Sequence, residues 1–324
     1  MRKLLPLLLI LLLPLSGCSR SPITVHDFTL NTFVSVTVYR KADEAAAREA
    51  LELCRSYEKV FSRTDPESEL YRLNRREISQ VSEELASVIE TGLYYSQLSK
   101  GAFDITAGSI TQLWDFTAQA PAVPDPAEIA RQLPAVGWEG VSLTGNTVTF
   151  THPETVIDLG GIAKGYIADR IAEQLRQSGV SSALIDLGGN LYCLGSKPEG
   201  GTYNVGIQFP FKERDQVLGI ISASEQSVVT SGVYERCFTE NDILYHHILD
   251  PQTGYPAKNE LVSVTIVSGA SVDGDALSTA CFVLGLEDGI ALIESLPDVE
   301  ALFVTDDLQT HASSGMASLF RPIS

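Results

Sequence analysis

The chain has 324 residues, of which 44% are hydrophobic, and its formal net charge at pH 7 is −18. This length and apolar content suffice for one large domain or two small ones. The excess of acidic residues, with no cluster of Lys and Arg, argues against nucleic acid and anionic membrane surfaces as partners of the folded part. An acidic protein that binds a polyanionic nucleotide needs local positive charge, and a divalent metal ion is the obvious source.

The first 17 residues are interpreted as a leader that is not part of the fold. Arg2 and Lys3 precede an apolar stretch, 4–15, that is too short to cross a hydrocarbon core of about 30 Å as a helix. This order is typical of a secretory signal peptide. Segment 15–18, Leu-Ser-Gly-Cys, resembles the lipobox of bacterial lipoproteins, which implies cleavage before Cys18 and a lipid on its thiol. The alternative is an ordinary signal peptide with an unrelated cysteine.

We therefore expect a mature protein that is anchored by lipid to a membrane of the cell envelope and faces its extracytoplasmic side. Four more cysteines follow, without any C-x-x-C pair, at positions 54, 193, 237 and 281. Most have apolar neighbours, so buried thiols are expected. An exported location also permits disulfides, whose pairing the sequence does not give.

Strand and helix patterns are mixed along residues 23–324. Alternating apolar residues and turn signals predict strands or hairpins at 32–39, 141–150, 183–187, 203–208, 217–223, 227–230, 243–249, 262–268 and 300–305. Helical spacing, with caps at Ser82 and Asp125, predicts helices at 43–61, 82–99, 125–137, 163–178, 273–284 and 287–295. Because there is no steady βαβ rhythm, we predict an α+β fold with mixed or antiparallel sheets and packed helices, in one domain over 23–324.

The segment around residue 158 is the first of three that carry chemistry. An apolar run ends in Asp158, a glycine pair follows, and an amphipathic helix starts near Lys164. Such a strand–turn–helix corner can present backbone N–H groups, a carboxylate and an ammonium to a phosphorylated ligand. Many such turns carry glycine without binding anything, and this one matches neither the dinucleotide fingerprint nor the P-loop.

The second segment holds two adjacent histidines and a turn. His246 and His247 precede the sequence Asp250-Pro-Gln-Thr-Gly, in which Asp250 can cap a tight turn and the following proline fixes φ. A histidine held in one orientation there, with a pKa near neutral, suits the role of a general base. The alternative is that the two histidines merely alternate on a strand, one buried and one exposed.

The third segment places a carboxylate and a hydroxyl on one face of a helix. Asp275 and Thr279 are four residues apart and therefore stack on the same side. Their oxygen atoms suit Mg²⁺ rather than zinc or copper. The alternative is structural, with Asp273 or Asp275 as the N-cap of the helix and Thr279 as a packed residue.

Taken in this order, the three segments resemble the motifs of the ApbE family, the FAD:protein FMN transferases. Stretches 61–62, 68–74, 102–108, 113–114, 187–190, 205–208 and 231–236 agree, so the resemblance spans roughly residues 23–310. It implies an ApbE-like fold and an Mg²⁺-dependent enzyme that cleaves the pyrophosphate of FAD. The FMN half is attached through a phosphoester to a Thr or Ser of a target flavoprotein, and AMP is released. The implied targets are exported or membrane flavoproteins with a Ser/Thr-Gly-Ala-Ser/Thr segment.

The resemblance also implies a set of site residues. His247 is the base that activates the acceptor hydroxyl. Asp275 and Thr279, with the backbone carbonyl of Ala163, hold Mg²⁺. The implied FAD-binding residues are Leu30, Ala102, Phe103, Asp104, Asp158, Lys164 and Ile248.

The chain departs from the family pattern in two places. Segment 30–32 reads Leu-Asn-Thr where the family often has Met-Gly-Thr, and segment 63–64 reads Arg-Thr where an aromatic residue is usual. Asn31 changes the nucleotide pocket or shifts the balance from transfer to hydrolysis, so an FAD pyrophosphatase that yields FMN and AMP is an alternative. A lipid-anchored flavin-binding protein without catalysis is a further alternative. The presence of His247, Asp275 and Thr279 together argues against it, since simple storage needs no base.

Overall fold

The computed structural model describes residues 21–213 and 215–323, so the leader and Cys18 lie outside the described residues. The strands are β1 (Ile23–Thr29), β2 (Thr32–Val38), β3 (Val141–Thr144), β4 (Thr147–Phe150), β5 (Ser182–Leu187), β6 (Asn190–Gly195), β7 (Tyr203–Gln208), β8 (Val217–Ala223), β9 (Gln226–Gly232), β10 (Cys237–Glu240), β11 (Ile243–His246), β12 (Leu261–Ser268), β13 (Glu300–Thr305), β14 (Thr310–Ala312) and β15 (Phe320–Pro322). The α-helices are α1 (Glu44–Phe61), α2 (Glu69–Asn74), α3 (Glu83–Leu98), α4 (Gly108–Thr111), α5 (Pro126–Gln132), α6 (Ala163–Gln177), α7 (Ser271–Leu284) and α8 (Leu286–Glu294). Within these ranges, none of the helices combines the length and the apolar character that a membrane crossing requires.

An eight-stranded sheet organises the molecule, with the strand order β1-β2-β5-β6-β9-β12-β13-β14 and antiparallel neighbours throughout. Helices α1, α6 and α7 lie on this sheet, over β1–β2, β5–β6 and β9–β12 respectively. A three-stranded sheet, β15-β8-β7, and the ribbons β3–β4 and β10–β11 complete the strands of the described part. The prediction of an α+β fold with antiparallel sheets and packed helices is confirmed.

The central strand β12 is buried along its whole length because both faces of the sheet are covered there. On one face, Ile266 belongs to a core shared with Phe282 of α7. On the other face, Val267 packs in a second cluster with Ile207 and Ile221 of the smaller sheet. This double coverage explains why the polar residues of the strand, such as Ser263 and Thr265, are buried along with the apolar ones.

Helices α6 and α7 meet backbone to backbone, and this crossing sets the geometry of the site. A Cβ atom on Gly165 would lie 2.4 Å from the carbonyl oxygen of Ser271, so only glycine allows the approach. Further along α6, the carboxylate of Asp169 accepts the N–H groups of Ser271 at 2.7 Å and Val272 at 2.9 Å. It thereby caps the first turn of α7, whose own N-cap, Ala270, contributes no side-chain hydrogen bond. The structural alternative, in which Asp273 or Asp275 caps this helix, is therefore wrong.

Other predicted local features are found where the sequence indicates them. The hydroxyl of Ser82 accepts the N–H of Leu85 at 3.2 Å, and the carboxylate of Asp125 accepts that of Ala127 at 2.9 Å. The helix that starts at Pro126 ends at Gln132 rather than near 137 and continues as a short 3₁₀ turn. The four cysteines of the described part are free, and all except Cys237 are buried.

Candidate active site

The corner around Asp158 has the predicted turn and helix, but no regular strand leads into it. Residues 156–157 are extended, with one isolated bridge from Val156 to Ala107. The amide side chain of Asn74 holds Ile157 from both sides, because it donates to the carbonyl and accepts the N–H of that residue, each at 2.8 Å. The chain then turns through the glycine pair, and α6 begins at Ala163.

The carboxylate of Asp158 is fully engaged by the protein itself. Its Oδ2 accepts the hydroxyl of Thr111 at 2.7 Å and lies 3.2 Å from Nε of Arg63, while its Oδ1 accepts the N–H of Gly160 at 2.9 Å. Asp158 therefore fixes the turn and orients Arg63. The terminal nitrogens of Arg63 make no hydrogen bond within the described residues, so they are available to an anion at this corner. The sequence indicated only that the usual aromatic side chain is missing at position 63.

Asp275 lies against the start of α6 and is only 3% exposed. Its Oδ2 accepts the N–H of Gly165 at 2.9 Å, and its Oδ1 is 3.7 Å from Nζ of Lys164. One turn later on α7, Thr279 lies beside the glycine turn, since a Cβ on Gly161 would be 3.4 Å from its hydroxyl oxygen. The structure thus brings Asp275 and Thr279 of α7 to segment 161–165, which contains Ala163 and Lys164.

These oxygen atoms fit a hard divalent cation. Within the described ranges, no group of three or more His, Cys, Asp or Glu side chains is arranged to hold a metal ion. A site here instead has one buried carboxylate, from Asp275, one hydroxyl, from Thr279, and backbone carbonyls. Magnesium suits this set, because it typically binds through one or two carboxylates, water and the phosphates of a substrate.

His247 follows directly after β11, and its orientation is fixed by the carbonyl of Arg236. Its backbone N–H donates to that oxygen at 3.1 Å, and its Nδ1 lies 3.3 Å from it. With the ring proton on Nδ1, the opposite nitrogen, Nε2, is free to accept a proton. Burial, followed by the guanidinium of Arg236, lowers the pKa of His247 to about 4, and the nearby ammonium of Lys164 contributes in the same direction. The imidazole is therefore neutral at pH 7.

The neighbouring His246 belongs to the core. Its Nε2 lies 3.2 Å from the carbonyl oxygen of Ala257, and its ring meets that of Phe282 edge-on, with centroids 5.5 Å apart. Burial lowers the pKa of His246 to about 4 as well. The two histidines therefore alternate, with His246 buried and His247 half-buried, as the alternative interpretation states. The charge of Lys164 contributes to the lowered pKa of His247.

The turn that follows is built as the sequence predicts. Asp250 accepts the N–H of Gln252 at 2.8 Å through its side chain and that of Gly254 at 2.9 Å through its carbonyl. Gly254 has a φ of +76°, which glycine adopts without strain. Trp114 donates its indole N–H to the carbonyl of Gly254 at 3.0 Å and packs against Tyr245 of β11. An aromatic cluster thus fixes the ribbon that leads to His247.

The predicted FAD-binding residues of segment 102–104 differ in what they offer a ligand. Asp104 is buried, and its carboxylate accepts the N–H and hydroxyl of Thr106 at 2.8 and 2.6 Å and the N–H of Trp138 at 3.1 Å. Burial raises its pKa. Asp104 therefore stabilises its own loop, whereas the ring of the buried Phe103 lies 3.1 Å from a Cβ built on Gly161. Ala102 and Ile248 are buried, and Ile248 belongs to the main apolar core.

The β1–β2 turn connects to the same region. Leu30 and Asn31 have φ values of 53° and 55°, which define a tight hairpin turn with two left-handed residues. Asparagine tolerates this conformation better than most residues, which explains how it can stand where the family often has glycine. Glu58 accepts the N–H of Leu30 at 3.0 Å, and Arg236 donates to the carbonyl of Asn31 at 3.3 Å. The turn is therefore tied to the residue that orients His247.

The chain is similar in sequence and in fold to known proteins. The sequence model of the ApbE family matches residues 30–303. The FAD:protein FMN transferase of Treponema pallidum is 37% identical over 91% of this chain and 88% of its own length, and that of Klebsiella pneumoniae is 37% identical over 87% and 89%. The solved structure of the ApbE protein of Thermotoga maritima has a TM-score of 0.85 at 32% identity and covers 93% of this chain and 100% of its own. The flavin transferase ApbE from Vibrio cholerae has a TM-score of 0.82 at 27% identity, with 92% and 99% covered. The chain belongs to the ApbE family.

Proposed function

We propose that this chain is an FAD:protein FMN transferase, which cleaves the pyrophosphate of FAD and attaches FMN through a phosphoester to a Thr or Ser of a target flavoprotein. The names of the relatives in Treponema pallidum and Klebsiella pneumoniae support this activity. The observation that carries the proposal is the pairing of a buried carboxylate with an ammonium at the start of α6, where Nζ of Lys164 lies 3.7 Å from Asp275. His247 is held in one orientation by the carbonyl of Arg236, and the charge of Lys164 contributes to its lowered pKa.

The proposed step is a displacement at the phosphorus atom of the FMN half. The acceptor oxygen forms a bond to this phosphorus, the bond to the bridging oxygen breaks, and AMP leaves with the electron pair. The proton of the acceptor hydroxyl goes to Nε2 of His247, because a threonine hydroxyl is a poor nucleophile until a base removes its proton. The negative charge of bound FAD raises the pKa of His247 and so makes it a stronger base in the complex than in the free protein.

We propose that Asp275, Thr279 and the backbone carbonyl of Ala163 hold Mg²⁺, which when bound neutralises charge that develops on the pyrophosphate oxygens. Lys164 and Arg63 add two fixed positive charges at the same corner. We assign the apolar FAD contacts to Leu30, Ala102, Phe103 and Ile248. We propose that Asp158 contributes to FAD binding by orienting Arg63. Asp104 contributes by fixing the loop that carries Ala102 and Phe103.

The location of the protein follows from its leader. We propose that Cys18 is lipidated and that the enzyme acts outside the cytoplasm on exported or membrane flavoproteins. An exported flavoprotein benefits from a covalently attached flavin, because the flavin then cannot dissociate outside the cytoplasm. The leader sequence at 1–17 and its lipobox support the proposal. Globomycin, which blocks lipoprotein signal peptidase, is expected to cause the unprocessed precursor to accumulate.

Incubation with FAD, Mg²⁺ and an acceptor domain that carries a Ser/Thr-Gly-Ala-Thr segment tests the activity. We expect intact-mass spectrometry to show one FMN added to the acceptor. Free FMN and AMP without labelled acceptor would favour an FAD pyrophosphatase. This is the second candidate function because Asn31, which stands where the family often has glycine, lies in the turn beside Arg236. Tight binding of unchanged FAD would indicate a flavin-binding protein without catalysis.

A further inference from the structure

Two phenylalanines project into solvent on either side of the β1–β2 turn. Phe28 is 60% and Phe33 is 73% exposed, and the two are cross-strand partners on the face of the ribbon opposite to Val34. Their rings touch edge to face with centroids 5.2 Å apart. Exposed aromatic pairs of this kind are typical of surfaces that bind another macromolecule, because soluble proteins otherwise cover large apolar side chains.

This pair is tied to the candidate catalytic histidine by two hydrogen bonds in series. Between the phenylalanines lies Asn31, whose carbonyl accepts from Arg236 at 3.3 Å. The carbonyl of Arg236 in turn accepts the backbone N–H of His247 at 3.1 Å. The turn that carries the exposed rings is therefore connected, through one arginine residue, to the segment that holds the imidazole.

A third exposed phenylalanine is attached to the same segment. Phe211, in the β7–β8 loop, is 54% exposed and has a φ of 59°, a conformation that costs free energy for a bulky residue. Its ring contacts that of Tyr234 at a centroid distance of 5.8 Å. Tyr234 lies two residues before Arg236 in the sequence and packs over Gly232. We call Phe28, Phe33 and Phe211 the aromatic rim.

We propose that the aromatic rim is the docking surface for the folded acceptor flavoprotein, next to the point where its hydroxyl meets His247. This inference rests on the proposed function. Two reactants must reach this histidine, and FAD is placed by the buried groups at the corner of Asp158 and Asp275. Water, the acceptor of a pyrophosphatase, needs no apolar surface. An acceptor protein does, and aromatic side chains dominate the energetics of such interfaces.

The position of the ring pair of Phe28 and Phe33 favours the acceptor over a lipid bilayer. The proposed lipid anchor precedes Ile23, whereas both rings lie near the opposite end of the β1–β2 ribbon. Five residues of extended strand span roughly 17 Å. The ring pair is therefore separated from the point at which the described chain begins, and hydrogen bonds through Arg236 connect its turn to the segment of His247.

The test compares the full-length double variant F28S/F33S and the single variant F211S with the wild type. The matched control is Tyr94→Ser, because Tyr94 is 55% exposed on α3 and is not in contact with the rim. We expect kcat/KM for a folded acceptor domain to fall roughly tenfold or more in the rim variants and to stay at the wild-type value in the control. Binding of FAD, followed by flavin fluorescence, and labelling of a short unstructured acceptor peptide are expected to be unchanged.

Several outcomes would overturn this assignment. Wild-type kcat/KM for the folded acceptor in both rim variants would show that the surface does not bind it. Equal losses with the folded domain and the peptide would place the rim in the catalytic site instead. A wild-type dimer that becomes monomeric in F28S/F33S by sedimentation would assign the surface to a second copy of the chain. If the wild type labels neither acceptor, the proposed function itself fails, which is a different result from each of these.

Discussion

Substitution of Gly165 by alanine tests whether the crossing of α6 and α7 sets the position of Asp275. The added Cβ would lie 2.4 Å from the carbonyl oxygen of Ser271 and 2.7 Å from Cα of Val272. Both are backbone atoms, so the two helices must move apart. Overpacking of this kind costs about 1–3 kcal/mol, and a steric conflict with backbone belongs at the upper end. Alanine recovers up to roughly 1 kcal/mol of helix propensity, so the steric cost prevails and a net loss of about 2 kcal/mol is expected.

The same displacement is expected to weaken binding of Mg²⁺ at the site proposed around Asp275. The N–H of Gly165 donates to Asp275 at 2.9 Å, and separation of the helices lengthens this bond and moves the carboxylate. We therefore expect the Mg²⁺ concentration for half-maximal FAD turnover to rise in Gly165→Ala. A loss of about 2 kcal/mol also lowers Tm by roughly 3 °C in a chain of this size.

The measurements are urea unfolding and Mg²⁺ titration of FAD turnover, with Gly269→Ala as the control. Gly269 lies in the turn before α7, and a Cβ there would meet nothing within 4 Å, so its variant is expected to stay within about 0.5 kcal/mol of the wild type. If the unfolding curves and Mg²⁺ titrations of the two variants coincide, the helix crossing does not position Asp275 and the reasoning is refuted.

Three further predictions concern the chemistry. His247→Ala is expected to bind FAD normally and to lose about 10²- to 10⁴-fold in transfer to the acceptor; transfer at the wild-type rate would show that another group is the base. Because burial lowers the pKa of His247 to about 4, kcat/KM should be constant between pH 6 and 8 and fall towards pH 4. The pKa of His246 is lowered in the same way, so between about pH 6.5 and 4 only the unfolded chain takes up protons at these rings, and both rings make the free energy of unfolding decrease as the pH falls. Asp169, whose pKa burial raises to about 6, acts in the opposite direction and offsets part of this loss. A free energy of unfolding that increases over this window, measured by urea unfolding, would contradict the burial of both rings. Arg63→Gln is expected to raise KM for FAD roughly tenfold, about 1.4 kcal/mol of charge-assisted contact, with little change in kcat; an unchanged KM would place Arg63 away from the anion.

Much of the fold could be predicted from the local sequence, because its helices and buried strands have strong periodicity. The helix at 163–178 and the strand at 262–268 were predicted within one residue of α6 and β12. The strands that were missed are β1, β6, β10, β14 and β15. Of these, β1 and β10 are each joined to their partner by a two-residue turn of left-handed, non-glycine residues, such as Asn241 and Asp242, so the usual glycine signal is absent. The strand predicted to reach residue 249 ends at His246, where the chain leaves the ribbon for the turn at Asp250.

The residues of the candidate site could be predicted from the sequence only in part. The resemblance to the ApbE family predicted that Asp275, Thr279 and His247 belong to one site. The structure brings Asp275 and Thr279 to the start of α6, and the grouping of His247 with them stays a prediction. The pairing of Arg63 with Asp158 could not be predicted, because the two residues are distant in sequence and their contact depends on how α1 and the glycine turn pack. The capping of α7 by Asp169 has the same cause. Tertiary contacts of this kind leave no periodic signal in either partner.

The most direct test of the account is a structure of the protein with FAD and Mg²⁺ bound. We predict an ion held by the oxygens of Asp275 and Thr279 and in contact with the pyrophosphate, with Lys164 beside the same phosphates. Nε2 of His247 should face the phosphorus of the FMN half across a gap that admits one hydroxyl group. An ion held elsewhere, or an FMN phosphate that His247 is unable to reach through an acceptor hydroxyl, would contradict the central claim.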